Sequence, residues 1–91
     1  MQKSLKSAEY ARLIELLVAV RHEAGIRQQE LAQKLGRPQS FVAKYEGGER
    51  RIDVVEFIAI SRALRADPLK LFRDFLTGKP IKGTKKKKTV R

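Results

Sequence analysis

Glycine residues divide the first half of this chain into short helical segments, and this division limits its possible folds more than any other feature. Apolar side chains recur at helical spacing up to Gly25, again up to Gly36, and again up to the Gly47-Gly48 pair. Glycine ends helices readily because it adopts the left-handed backbone conformation that often follows a last helical turn. No segment of useful length alternates apolar and polar residues with the period of a strand. The sequence therefore predicts an all-α fold built from short helices.

Three helices are predicted before the glycine pair. The first covers residues 8–24 and follows Ser7, a good N-cap residue. The second covers residues 28–35. The third covers residues 37–45 and has Pro38 in its first turn, where a proline is tolerated.

Two further helices carry their own start signals. Asp53 and Glu56 have the spacing of a capping box, and Asp67 is followed by Pro68 at the first helical position. The apolar residues of the fourth helix are predicted to face the core: Val54, Val55, Phe57, Ile58, Ile60 and Leu64. The fifth helix has Leu69, Phe72, Phe75 and Leu76 at helical spacing. Two alternatives stay open for Leu71 and for the face of Phe72, Phe75 and Leu76, which either close the core or form a dimer interface.

The positive charge is concentrated at the end of the chain. The 91 residues include 21 Lys and Arg against 10 Asp and Glu, a formal net charge of +11. Residues 77–91 contain seven of the basic residues and no acidic one, so residues 1–76 keep a surplus of +4. We predict one folded domain over residues 1–76 and a disordered basic tail over residues 77–91, which has too few apolar side chains to fold. This charge favours a polyanionic partner.

Several classes of protein are disfavoured. The chain has no cysteine and a single histidine, His22, which leaves no disulfide, thiolate or histidine-cluster chemistry. The longest apolar run, residues 16–20, is too short to cross a bilayer, and charged residues near the N-terminus argue against a signal peptide. No carboxylate pair or nucleophile–base set stands out. We expect a cytoplasmic protein that is not an enzyme, needs no cofactor or metal, and has no membrane partner.

The second and third predicted helices have the spacing of a helix-turn-helix. Two helices that cross steeply need a small residue where they touch, which Ala32 supplies. The turn between them needs a residue that tolerates positive φ, which Gly36 supplies. Val42 and Tyr45 then anchor one face of the third helix and leave the opposite face free to contact a partner.

These residues resemble the lambda-repressor-like helix-turn-helix domains of the Cro/repressor (XRE) type. The resemblance rests on G-I-x-Q-x-E-L-A-x-x-L-G over residues 25–36 and V-x-x-Y-E-x-G over residues 42–48. It implies a compact five-helix domain that binds double-stranded DNA, acting as a homodimeric transcriptional regulator on an inverted-repeat operator in a bacterial or phage setting, associated with the nucleoid. Two positions depart from the pattern. Arg27 and Pro38 stand where the family usually has polar residues that cap the second and third helices.

Arg21 lies within the apolar stripe of the first helix, where an unpaired charge would cost several kcal/mol. The resemblance implies its partner, because family members commonly pair an arginine at this position with the glutamate of the Y-E-x-G segment. In this chain that glutamate is Glu46. We therefore expect a buried Arg21–Glu46 ion pair that joins the first helix to the end of the third.

The resemblance also implies that the third helix enters the major groove of DNA. The predicted base contacts share the face opposite the two anchoring residues: Gln39, Ser40, Ala43 and Lys44. The predicted contacts to the DNA backbone surround the motif: Arg27, Gln28, Arg37, Arg50 and Arg51. Phe41 lies between the two faces, and both core packing and base contact remain open for it.

Two other functions remain open at this point. One is a DNA-binding antitoxin or protein-interaction module of the same fold, with a partner protein bound by the fifth helix or the tail. The other is a non-specific binder of nucleic acid, RNA included, that relies on the basic tail. In the first of these, the site for the partner protein is independent of Gln39.

Overall fold

The structure, a computed structural model, describes residues 7–78 and contains five α-helices and no strand over that range. The five helices follow one another in chain order: α1 (Ala8–Ala24), α2 (Gln28–Leu35), α3 (Gln39–Glu46), α4 (Val54–Ala63) and α5 (Pro68–Thr77). The prediction of an all-α, five-helix fold is confirmed. The bounds of α1 and α2 agree with the prediction, whereas α3 begins later because Pro38 is its N-cap and has an extended backbone.

The helix starts explain why α2 and α3 need support from elsewhere in the fold. The predicted capping box of α4 is present, since Asp53 and Glu56 each accept a hydrogen bond from the other's backbone N–H, at 2.7 and 2.9 Å. The α2 helix has only half of such a box. Glu30 accepts a hydrogen bond from the backbone N–H of Arg27 at 2.9 Å, but an arginine side chain has no acceptor to return one. Pro38 provides no side-chain cap for α3.

The core is formed by apolar side chains from all five helices: Tyr10, Ile14, Leu17, Leu31, Ala32, Phe41, Val42, Tyr45, Phe57, Ile60, Leu64 and Leu71. Ala32 is buried between the two motif helices, and Gly36 closes α2 with a φ of 69°. Val42 and Tyr45 are fully buried and fix one face of α3. The helix-turn-helix geometry predicted from these four positions is therefore present.

The prediction that every apolar residue of the fourth helix faces the core is wrong for two of them. Val54 and Val55 occupy the first turn of α4 and are 72% and 74% exposed. A ten-residue helix that packs on one side buries a single stripe, which in α4 passes through Phe57 and Ile60 and continues to Leu64, the C-cap residue. The two valines lie outside it.

Only part of the fifth helix closes the core. Leu71 is buried in the core, whereas Leu69, Phe72 and Leu76 are exposed. The helix also includes Thr77, whose hydroxyl donates to a backbone carbonyl one turn earlier at 3.0 Å. The disorder predicted for the rest of the basic tail concerns residues 79–91, which lie outside the described residues.

Candidate nucleic-acid interface

The α3 helix exposes one continuous polar face. Its buried residues pack into the core, while the four predicted base contacts are all exposed: Gln39, Ser40, Ala43 and Lys44. Phe41, for which two roles were open, is buried among core residues and packs against the Tyr45 ring at a centroid distance of 5.5 Å. The face available for contact with a partner is therefore formed by short polar side chains, one methyl group and one lysine.

A buried ion pair holds the C-terminal end of α3. Arg21 Nε lies 2.7 Å from Glu46 Oε2, Arg21 Nη2 lies 3.0 Å from Glu46 Oε1, and the two side chains are only 9% and 7% exposed. Arg21 Nη1 also donates to the backbone carbonyl of Ile26 at 2.8 Å. Each charge is thus matched and hydrogen-bonded, which a buried ion pair requires. The pair joins α1 to the end of α3 as the resemblance implied, and Arg21 also binds the turn between α1 and α2.

Gln28 connects this ion pair to the exposed face of α3. Its Nε2 donates to Glu46 Oε1 at 2.9 Å, and its Oε1 lies 3.5 Å from Gln39 Nε2. The side chain of Gln28 is therefore held between a buried carboxylate and an exposed amide. The side chain of Gln39 thus has a neighbour on α2, outside the exposed face of α3.

A second cluster holds the other end of α3. Arg37 donates to Glu56 Oε2 at 3.1 Å, and Arg50 donates to both carboxylate oxygens of Glu56 at 3.0 and 3.1 Å. The guanidinium carbons of Arg37 and Arg50 lie 4.3 and 4.9 Å from the centroid of the Phe41 ring, within the range of cation–π attraction. We call these four residues the Glu56 cluster. It joins the turn before α3, α3 itself, the loop after it, and the start of α4.

The carboxylate of the Glu56 cluster is strongly acidic. Hydrogen bonds from Arg50 lower the pKa of Glu56 to about 2, and those from the Asp53 backbone and Arg37 act in the same direction against partial desolvation. The same hydrogen bonds raise the pKa of Arg50 above its ordinary value. Glu56 is therefore a fixed negative charge at any pH that a cell maintains.

The loop between α3 and α4 is fixed by Tyr10 of α1. The backbone N–H of Ile52 donates to the Tyr10 hydroxyl at 3.2 Å, and this hydroxyl donates to the carbonyl of Arg50 at 3.4 Å. The Arg51 guanidinium carbon lies 4.3 Å from the centroid of the Tyr10 ring. The two neighbouring arginines are thus held differently, Arg50 by a carboxylate and Arg51 against an aromatic ring.

Comparisons with known proteins agree with this geometry. The sequence model of the family described as "Helix-turn-helix domain" matches residues 11–71. The chain is also similar to the solved structure of an XRE-family like protein from Pseudomonas syringae pv. tomato, with 48% identity and a TM-score of 0.76. That match covers 80% of this chain and 89% of the other.

The chain belongs to the XRE family of helix-turn-helix proteins. This XRE-family domain is a DNA-binding regulator of a fold that is typically not enzymatic. No curated protein matches it. Residues 7–78 contain no group of acidic or histidine side chains arranged to hold a metal ion, and none of the helices in this range is long and apolar enough to span a membrane.

The predicted backbone contacts of the XRE-family domain fall into three environments. Arg27 is largely exposed and lies at the start of α2, beside Gln28. Arg37 and Arg50 meet at Glu56, and Arg51 packs on Tyr10. Sequence reasoning missed Glu56 as a partner of two arginines. Its position three residues after Asp53 predicts a helix cap, and no local pattern links it to distant basic residues.

One core residue of the XRE-family domain has an unusual environment. Tyr45 is fully buried, and no described residue gives its hydroxyl a hydrogen-bond partner. Burial raises the pKa of Tyr45 well above its ordinary value, and the neighbouring Glu46 carboxylate adds to the effect. The residue therefore anchors α3 through its ring, and its hydroxyl is kept from water without compensation.

Proposed function

We propose that this protein is a sequence-specific transcriptional regulator that binds duplex DNA with α3 in the major groove. The observation that carries the proposal is the continuous exposed polar face of α3, held at one end by the buried Arg21–Glu46 pair and at the other by the Glu56 cluster. A helix that reads base edges must present its side chains in a fixed orientation, because each base contact depends on hydrogen-bond geometry. The domain acts in the cytoplasm, on the nucleoid.

The side chains on this face suit different base edges. Gln39 can bond adenine through its amide, and Ser40 can bond several bases. Ala43 can contact the methyl group of thymine, and Lys44 can reach guanine or a phosphate. Gln28 lies next to Gln39, and its Oε1 is 3.5 Å from the Gln39 amide nitrogen.

The contacts that position the domain on the DNA backbone come from the rim of the motif. Arg27 is the most exposed of these side chains, and it lies beside the N-terminus of α2, where free backbone N–H groups favour a phosphate. Gln28 lies in the same first turn. Arg37, Arg50 and Arg51 supply positive charge on the other side of α3, near its start and after its end.

A second copy of the chain completes the site. The eight residues of α3 make a helix about 12 Å long, which covers roughly three to four base pairs of DNA. Two copies related by a twofold axis would read two half-sites about 34 Å apart. The surface proposed for this contact is the apolar groove of about 470 Å³ between α4 and α5, where Val54, Leu69 and Phe72 are exposed.

The test is selection of bound sequences from a pool of random duplexes. A palindromic consensus supports the proposal, and the absence of any enrichment contradicts it. Gln39→Ala is expected to weaken binding to the selected duplex by about tenfold or more and to change binding to a scrambled duplex little. Gln33→Ala, which removes an exposed glutamine from α2, is the matched control. Equal losses on both duplexes with Gln39→Ala would exclude α3 as the reading helix.

A second candidate function is favoured by the same apolar groove. In an antitoxin or interaction module of this fold, the groove between α4 and α5 would hold a different protein, and the purified chain would stay monomeric on its palindrome.

The remaining alternative, non-specific binding driven by the basic tail, predicts no consensus sequence among the selected duplexes. It also predicts that removal of residues 79–91 flattens the salt dependence of DNA binding.

A further inference from the structure

Glu56 stands out because it is an acidic residue at the edge of a surface expected to meet phosphates. Its carboxylate accepts three hydrogen bonds from Arg37 and Arg50 and a fourth from the backbone N–H of Asp53. If charge alone decided binding, such a residue would only weaken it, because it repels DNA and cancels one of two nearby positive charges. The geometry of the cluster gives it a different role.

Both arginines keep unused hydrogen-bond donors while Glu56 holds them. A guanidinium carries five N–H donors. Arg37 donates one hydrogen bond to Glu56. Arg50 donates two to Glu56 and one to the backbone carbonyl of Arg51. Their side chains remain 42% and 41% exposed, although each is packed on Phe41. The two guanidiniums therefore carry a net charge of +1 with Glu56 and can still bind another acceptor.

We propose that Glu56 is a positioning residue for DNA binding, which holds Arg37 and Arg50 on Phe41 so that they meet the DNA backbone in one fixed register. This inference rests on the DNA-binding function proposed above. Arginine side chains that are already ordered lose less conformational entropy when they bind a phosphate. Because both are packed on an α3 residue, the phosphates they bind also fix the orientation of α3 in the groove.

Positioning of the two arginines by Glu56 should affect binding to the selected DNA sequence more than binding to random DNA. On random DNA, arginines find phosphates through charge and no fixed geometry is required. On the selected sequence, α3 is docked against base edges, and the backbone contacts must fit that single arrangement. The loss of Glu56 should therefore act in opposite directions on the two kinds of DNA.

The experiment compares Glu56→Gln with Glu49→Gln in the full chain. Glu49 is an exposed acidic residue in the same loop as Arg50, so both variants remove one negative charge from the same region. Dissociation constants are measured on the selected duplex and on its scrambled control over a range of salt concentrations. Glu49→Gln should tighten both duplexes by the same small factor. Glu56→Gln should tighten the scrambled duplex by a similar factor and weaken the selected one by about tenfold.

Two further measurements distinguish the loss of positioning from a general loss of structure in Glu56→Gln. Glutamine keeps an acceptor oxygen for the Asp53 backbone, and the thermal unfolding curve of Glu56→Gln reports whether the domain is folded at the assay temperature. The double variant Arg37→Lys/Arg50→Lys keeps every charge but cannot bridge the carboxylate in the same way. It should lose the same preference for the selected duplex as Glu56→Gln.

Three results would overturn the positioning role. The first is that Glu56→Gln behaves like Glu49→Gln on both duplexes. The second is that Glu56→Gln weakens both duplexes by one common factor, as partial unfolding would. The third is that the double lysine variant keeps the full preference of the unchanged protein. If the unchanged protein itself does not distinguish the two duplexes, the proposed function fails instead.

Discussion

Two tyrosines of the core allow the same chemical change to be made in opposite environments. The Tyr45 hydroxyl is buried, and no described residue pairs with it. The Tyr10 hydroxyl accepts a hydrogen bond from Ile52 and donates one to the carbonyl of Arg50. Replacement by phenylalanine removes one oxygen at each site and leaves the ring in place. We expect Tyr45→Phe to stabilise the domain and Tyr10→Phe to destabilise it.

The magnitudes follow from these hydrogen bonds. A buried polar group without a hydrogen-bond partner destabilises the folded state by about 1–3 kcal/mol. The van der Waals contacts of the hydroxyl oxygen with its neighbours offset part of this destabilisation. We therefore expect Tyr45→Phe to raise the free energy of unfolding by about 1 kcal/mol. Tyr10→Phe leaves the backbone N–H of Ile52 without its acceptor, so a loss of about 1–2 kcal/mol is expected. In a domain of this size, 1 kcal/mol corresponds to a shift in Tm of roughly 4–8 °C.

The assay is urea unfolding followed by circular dichroism, with both variants and the unchanged protein measured in parallel. The slope of the free energy with denaturant should stay constant, so that shifts of the midpoint report stability alone. A loss of stability in Tyr45→Phe as large as that in Tyr10→Phe would contradict this expectation. That result would mean that the Tyr45 hydroxyl is hydrogen-bonded in the folded protein.

Three further predictions concern charge and assembly. Glu46→Ala should lower the free energy of unfolding by about 3 kcal/mol, since it leaves Arg21 buried and unpaired; a loss below about 1 kcal/mol in chemical denaturation would contradict this. Because the folded-state pKa of Glu56 is about 2 against an ordinary 4.5, its contribution to stability is complete above pH 4.5 and is lost as pH falls through 2. Acid titration of Glu56→Gln should therefore show a smaller loss across that window, and an identical profile would count against the ion pairs. Phe72→Asp should convert the proposed dimer to a folded monomer in analytical ultracentrifugation, and an unchanged sedimentation coefficient would contradict the dimer contact proposed between α4 and α5.

Much of the helical framework could be predicted because its signals are local. Ser7, Asp53 and Asp67 lie directly before the helices that they cap, and the structure places each at an N-cap. Glycine at the turn of the motif acts within one residue of its position in the sequence. The pairing of Arg21 with a distant glutamate came from family resemblance, since no spacing rule connects residues 25 positions apart.

The Glu56 cluster could not be predicted from the sequence, because it depends on the path of the loops in the folded protein. Arg37 and Arg50 lie 19 and 6 positions from Glu56 and approach it from opposite ends of α3. The exposure of Val54 and Val55 was missed for a related reason. Both are apolar, as core residues usually are. Only the way α4 packs in the fold shows that its first turn faces away from the core. The role of Phe41 stayed open because its position on α3 lies between the buried and the exposed face. The two arginines that cover its ring come from outside α3.

The link from Glu46 through Gln28 to Gln39 has a consequence for how this protein can evolve. A substitution in the core that shifts Glu46 moves the acceptor that holds Gln28, and with it the neighbour that orients Gln39. Under the proposed function, changes in preference for DNA sequence can therefore arise from mutations of residues that do not contact DNA. In a genetic screen for altered operator choice, some of the variants recovered should map to the interior and should also melt at a different temperature. Under the proposed function, core stability and DNA recognition are therefore linked along the whole length of α3, from Glu46 at its last residue to Gln39 at its first.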